Sequence, residues 1–189
     1  MPAFLDSVDF PVPGRTKGRK KEHREGHCII RALRWLGTTH PHLFPATLIR
    51  QEAPDFVLEP RGNGRTWAIE HTDAGEQEYQ QWQARTDDQE GVLALPSPDG
   101  EAWLGDAPER AFDEAIRLAV RRKSEPNFWR NEPDQAVRCI LAYDQTNARL
   151  FVSDAHALQS IQRAAATAPG FGVMLVRDAK RVLVAGIEP

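Results

Sequence analysis

The tightest constraint on this chain is APDFVLEPRGNGRTWAIEHTDAG, residues 53–75. Two short apolar runs flank the turn-forming RGNG, which predicts a hairpin with strands over Asp55–Glu59 and Arg65–Thr72. Side chains alternate along a strand, so Ala68, Glu70 and Thr72 share one face while Trp67, Ile69 and His71 share the other. Asp55 opens the first strand and can approach Glu70 across the ladder. Two close carboxylates at the edge of an apolar sheet repel each other, and the arrangement is costly without a cation, a shared proton or a basic side chain. A hard divalent ion such as Mg²⁺ is one solution, because it takes one or two carboxylates and completes its shell with water, carbonyl oxygen and substrate phosphate.

Around this hairpin the hydrophobic pattern predicts three helices and further strands. From Lys20 to Leu36 the period is helical, with Ile29, Ala32, Leu33 and Leu36 on one face, His23, His27, Arg31 and Arg34 opposite, and Gly37 as the residue that ends it. A short strand is expected at Ala46–Arg50. After the hairpin, the polar stretch Asp73–Glu101 begins helically and passes into a loop at LPSPDG. A second amphipathic helix follows over Pro108–Lys123, with Asp106 as cap and Phe112, Ile116, Ala119 and Val120 as its apolar face. CILAYD, residues 139–144, reads as a buried strand, and Asp154 caps a third helix over Ala155–Ala166. The run FGVMLVRDAKRVLVAGI gives two strands joined at Asp178 and Ala179. Helix, three strands, helix, strand, helix, two strands: the simplest architecture is an α/β fold with a mixed sheet and helices on its faces.

The size of the chain, 189 residues of which 41% are hydrophobic, suits one domain, here residues 20–189 behind a Pro- and Gly-containing N-terminal arm at 1–19. Cys28 and Cys139 both sit in apolar runs and read as buried reduced thiols. The N-terminus lacks the cationic start and apolar run of a signal peptide, and no stretch reaches membrane-spanning length, so the expectation is a soluble cytoplasmic protein. A net charge of −3 argues against a generic nucleic-acid coat protein. The basic run RTKGRKKEHR at 15–24 and the arginines Arg117, Arg121 and Arg122 read first as a solvated arm and helix face, with a phosphate-binding surface as the other reading.

His23 and His27 stand four apart on a helix and could share a metal. HREGH is nevertheless not HExxH, since its glutamate is displaced by one position, and a solvated or phosphate-facing pair is the preferred reading; His40 and His42 follow in THPH. No serine or cysteine nucleophile has a supporting motif, and RGNGR is a hairpin turn without a following helix, not a phosphate loop. Trp67, Trp82, Trp103 and Trp129 are expected to pack in the core or at edges, with base stacking as the alternative.

Pro54-Asp55 followed by Glu70-His71-Thr72, within this element order, resembles the PD-(D/E)xK nuclease superfamily, whose core is helix, three-stranded meander, helix, strand. The resemblance covers roughly residues 20–144 and implies a restriction-endonuclease-like fold with an αβββαβ core, here extended by a C-terminal helix and two strands. It implies a nuclease dependent on Mg²⁺ or Mn²⁺, with Asp55 and Glu70 as metal ligands and the His71 carbonyl as a further one. The implied partner is nucleic acid, DNA before RNA, with the oligomeric state open and a homodimer among the options.

Thr72 departs from the family pattern, because it stands where the family has lysine and carries no charge to orient water or offset phosphate. Some members of the superfamily carry this lysine on the following helix. Lys123 falls in the middle of the Phe112–Ile116–Ala119–Val120 stripe, whereas Arg110, Arg117 and Arg121 point away, and Arg122 beside the stripe is the reserve candidate. On its own a lysine there could equally serve the helix dipole and snorkel to water. Glu25 lies at the centre of the first helix's apolar face with Glu22 on its flank. By the resemblance, Glu25 reaches the metal site through water; otherwise it is a first-turn acid that favours the dipole. The alternatives to a nuclease are a non-catalytic relative that binds nucleic acid or protein, and an interaction protein whose carboxylates are only an exposed hairpin edge.

Overall fold

A computed structural model describes residues 20–75, 105–178 and 181–187. The elements are α1 (Lys21–Thr39), β1 (Ala46–Arg50), β2 (Phe56–Pro60), β3 (Trp67–Ala74), α2 (Ala107–Lys123), β4 (Val137–Asp144), α3 (Asp154–Ala166), β5 (Phe171–Val176) and β6 (Val182–Ala185). They form an α/β fold in which three helices cover an open, mixed sheet of six strands in the order β1-β2-β3-β4-β5-β6. β1, β2 and β3 make an antiparallel meander; β3, β4 and β5 run parallel; β6 returns antiparallel on β5. The expected arm at 1–19, the polar stretch 76–104, and Trp82 and Trp103 within that stretch lie outside the described residues.

Alternation along the strands divides the core. Ala68, Ile140, Ala142, Val173 and Leu175 pack against Phe112, Ile116 and Val120 of α2 and Ile161 of α3. Ile69, Cys139, Leu141, Met174 and Val176 pack against Ile29, Leu33 and Leu36 of α1. The interior strand β5 is buried along its whole length, as a strand covered on both faces requires. Neither cysteine forms a disulfide among the described residues, both are fully buried, and burial pushes the Cys139 thiol up to about 12. None of the described helices is long and apolar enough to cross a membrane.

Several boundaries differ from the sequence reading. α1 does not stop at Gly37, which is buried inside it. The Thr38 and Thr39 hydroxyls donate to the Arg34 and Trp35 carbonyls at 3.0 and 2.8 Å, and the helix ends at His40, which precedes Pro41 and leaves the helical region at φ −129° and ψ 59°. β2 starts at Phe56, one residue past Asp55. β3 runs from Trp67 to Ala74 because its parallel pairing with β4 continues to Ala74 opposite Asp144, so Asp73 belongs to a strand and not to the helical start of the polar stretch. Gly75 follows because a Cβ there would stand 2.4 Å from the Gln145 carbonyl oxygen. β4 likewise starts earlier, at Val137. The cap of α3 is Ser153, whose Oγ accepts from the His156 amide at 3.2 Å, while Asp154 is the first helical residue and turns to Arg181 at 3.0 Å. Asp106 makes no side-chain cap and pairs with Arg110 at 2.9 Å instead.

Candidate active site

The hairpin brings the two carboxylates together. The Asp55 amide donates to Glu70 Oε2 at 3.0 Å, and Asp55 Oδ2 accepts from the His71 amide at 2.8 Å. Each carboxylate is thus held by the other residue's strand, a local consequence of antiparallel pairing between β2 and β3. Glu70 is only 3% exposed. Burial first, then the neighbouring Asp55, push its carboxyl above the usual range, while contact with Lys123 works in the opposite direction.

Lys123, the last residue of α2, places Nζ against Glu70 Oε1. Its stripe position is what the sequence reading singled out, and the residue is 9% exposed. Two neighbours hold it there. Its ammonium stands 4.0 Å from the centre of the Phe128 ring, and the Trp129 indole N–H donates to the Lys123 carbonyl at 2.6 Å. Thr72, also buried, donates its hydroxyl to the Asp73 carbonyl at 3.4 Å and contributes no charge. Arg122 is exposed and, with Thr72, lines a separate groove of about 280 Å³ between β3 and α2.

Glu25 is buried, as its facial position predicted, but its neighbours are cations. Oε1 lies 2.9 Å from Lys21 Nζ and Oε2 accepts from Arg50 Nη2 at 3.0 Å. Lys21 Nζ is also 3.7 Å from Asp55 Oδ1, so a single ammonium links Glu25 to the carboxylate pair. Glu22 lies exposed at the start of the same helix. His71 enters through its amide; its imidazole points to the α1 side, is 3% exposed, and Nε2 has no hydrogen-bond partner. Burial, with Arg24 next in effect, lowers its pKa to about 3, so this ring stays neutral.

The sequence reading missed the supports of the site. Ala53 adopts φ +51°, a conformation that an L-residue holds only when its surroundings enforce it. The enforcement comes from Asn131, whose amide donates to the Ala53 carbonyl at 2.9 Å and whose side chain donates to the Glu52 carbonyl at 2.9 Å. Gln51 closes the clamp on the Asn131 carbonyl at 3.2 Å. The segment that follows α2 therefore carries the packing for Lys123 and the clamp on the turn before Asp55. A long-range asparagine contact leaves no periodic trace in sequence.

Comparison with protein-family models, curated proteins and solved structures found no match. Among the described residues, no three His, Cys, Asp or Glu side chains form a group able to cage a metal. His23 and His27 make no such pair: His23 Nδ1 accepts from the Lys20 amide at 3.0 Å, and the His27 ring packs 5.9 Å from that of Tyr143. His40 is buried beside Trp35 and Trp67, where burial lowers its pKa. Trp67 and Trp129 are core residues at 3% and 4% exposure. What the Asp55–Glu70 pair offers is a two-carboxylate site in which burial and the neighbouring Asp55 disfavour the charge on Glu70. That donor set fits a hard divalent ion that keeps water and gains phosphate oxygen, and does not fit a closed zinc site.

Proposed function

We propose that this chain is a metal-dependent nuclease of the PD-(D/E)xK type, hydrolysing the phosphodiester bonds of nucleic acid, DNA before RNA. The observation that carries this reading is that Glu70 of β3 meets both Asp55, in the turn before β2, and the ammonium of Lys123 from α2, a charge that Thr72 does not supply. The order helix, antiparallel meander, helix and parallel strand supports a restriction-endonuclease-like core, with α3, β5 and β6 as additions.

Asp55 and Glu70 would hold Mg²⁺ or Mn²⁺. Such an ion supplies charge neutralisation at the phosphate and a more acidic attacking water. The His71 amide fixes the Asp55 carboxylate, and the Asp55 amide fixes that of Glu70, so neither needs to reorganise during the reaction. Lys123, packed by Phe128, offsets negative charge on the phosphoryl oxygens as water bonds to phosphorus and the bond to the leaving oxygen breaks. Glu25 acts at a distance by holding Lys21 and Arg50 at the mouth.

The test is incubation of plasmid DNA, linear DNA and RNA with the protein in Mg²⁺ or Mn²⁺, alongside Asp55→Ala and Glu70→Ala variants whose folding is checked by circular dichroism. Cleavage by the parent and loss of about 10²-fold or more in both variants is expected. Undiminished cleavage in folded variants refutes the assignment. One observation favours a second reading: Glu70 and Lys123 already satisfy each other in a buried pair, which a non-catalytic nucleic-acid-binding module would retain for structure. Binding without cleavage in either metal would select it.

A further inference from the structure

The charges at the site balance before any ion arrives. Glu25, Asp55 and Glu70 face Lys21, Arg50 and Lys123, one cation for each carboxylate. The three cations are not equally committed. Lys123 is buried against Glu70, with 11% of its side chain exposed. Arg50 is seated on Glu25. Lys21 has 65% of its side chain exposed, and its ammonium lies between Glu25 at 2.9 Å and Asp55 at 3.7 Å. It is the cation with the freest path to water and the one that approaches the carboxylate proposed to hold metal.

We propose that Lys21 is a resident counter-cation of the Asp55 carboxylate and that a divalent ion binds by displacing it, so that Lys21 sets the ion concentration at which the site fills. This rests on the metal-site reading of Asp55 and Glu70. The physical basis is direct. An ammonium near Asp55 repels a doubly charged ion, and the long stem of an exposed lysine lets it leave without disturbing the fold. Glu25, buried and also held by Arg50, keeps the ammonium near Asp55 when the ion is absent. Glu25, Asp55 and Glu70 all favour the protonated lysine, with the Glu25 contact acting most strongly.

The displaced state also fits the substrate's charge. With Lys21 displaced and a divalent ion bound, the three carboxylates face Arg50, Lys123 and the ion, which leaves the site one charge positive. Each phosphodiester returns one negative charge, and the released ammonium can follow that charge outward. Ion and phosphate should consequently assist each other's binding, with Lys21 determining how weakly the ion binds by itself.

The experiment is isothermal titration of Mn²⁺ into the full chain and its Lys21→Met, Lys20→Met and Asp55→Ala variants, with thermal unfolding in chelator as a second readout. Lys20 has the same formal charge one residue earlier on the chain and is exposed. Lys21→Met should bind Mn²⁺ about tenfold more tightly than the parent, while Lys20→Met changes affinity less than about twofold. In chelator, Lys21→Met should melt slightly below the parent, and saturating Mn²⁺ should reverse that order. Equal Mn²⁺ affinity in the parent and Lys21→Met, with binding abolished by Asp55→Ala, overturns the counter-cation role and leaves the metal site standing. No Mn²⁺ binding even in Lys21→Met, or binding that survives Asp55→Ala, overturns both. An equal gain in Lys20→Met and Lys21→Met would reduce the effect to general charge and also overturns the proposal.

Discussion

Replacing Lys123 by methionine keeps a long apolar stem and removes the charge, so its cost reports on Glu70. The Glu70 and Lys123 side chains are 4% and 11% exposed, and Asp55 stands beside Glu70. Removing one partner of a buried ion pair costs about 3–5 kcal/mol. A carboxylate left this way can instead take up a proton, which limits the penalty. Starting from the ordinary glutamate value of 4.5, protonation costs about 3 kcal/mol at pH 7 and less than about 1 kcal/mol at pH 5, at 1.36 kcal/mol per unit. The sign follows from proton binding: in the variant the folded carboxyl holds a proton that the unfolded chain releases above 4.5, so the variant recovers ground on the parent as pH falls. Urea unfolding at pH 7 and pH 5 measures this. Lys123→Met should lose about 3 kcal/mol at pH 7 and under about 1 kcal/mol at pH 5. The double variant Glu70→Gln/Lys123→Met should lie close to the parent at both pH values, since no buried charge is left unpaired. A cost for Lys123→Met that is the same at both pH values would refute the claim that a charged Glu70 depends on this ammonium.

Three further outcomes follow from the same geometry. His71 has a folded pKa of about 3 against an ordinary 6.5, so the unfolded chain binds a proton that the folded one refuses. Stability therefore drops as pH falls through 6.5, and this contribution should be about 2 kcal/mol between pH 7 and pH 5. The slope should be correspondingly flatter in His71→Leu, and equal slopes would mean that the buried imidazole accepts a proton in place. Asn131→Ala removes the hydrogen bond from its side chain to the Glu52 carbonyl. It should cost about 1–2 kcal/mol in chemical denaturation and weaken Mn²⁺ binding through Asp55, whereas unchanged Mn²⁺ affinity would deny the clamp any part in the site. Arg177, 7% exposed, donates to Asp144 at 3.2 Å and to the Arg149 and Val152 carbonyls at 2.7 and 2.9 Å. Arg177→Met should destabilise by about 3–5 kcal/mol with no direct effect on the Asp55 site, and a thermal shift separates the two.

What sequence could show of this molecule was whatever a single element displays by itself. The amphipathic period of α1 placed Glu25 on the apolar face, and the residue is 2% exposed. The same reasoning on α2 isolated Lys123 from three arginines that point outward. Strand alternation put Glu70 and His71 on opposite faces, which the sheet reproduces. Contacts between distant segments left no such trace. Asn131 reaches Glu52 across 79 positions, and its role follows from the positive φ of Ala53, which no alanine advertises. The sequence reading takes Asp154 as the cap of α3, yet Ser153 fills that role, because Arg177 and Arg181 draw Asp154 away. The ends of β3 and β4 were set by their parallel pairing, a property of neither strand alone.

Three of the residues that break the local rules converge on one place. A glutamate on the buried face of α1, a lysine on the buried face of α2, and a glutamate inside an apolar strand would each be a local error costing several kcal/mol if left alone. Folding brings Glu70 and Lys123 into contact and joins Glu25 to Asp55 through Lys21. Well-packed apolar residues could replace such buried pairs at little or no cost in stability, so stability alone does not explain why three elements each carry a charge here. The metal site proposed at the Asp55–Glu70 carboxylates would explain it, and that reading predicts that neutralising the pairs together spares the fold while abolishing Mn²⁺ binding.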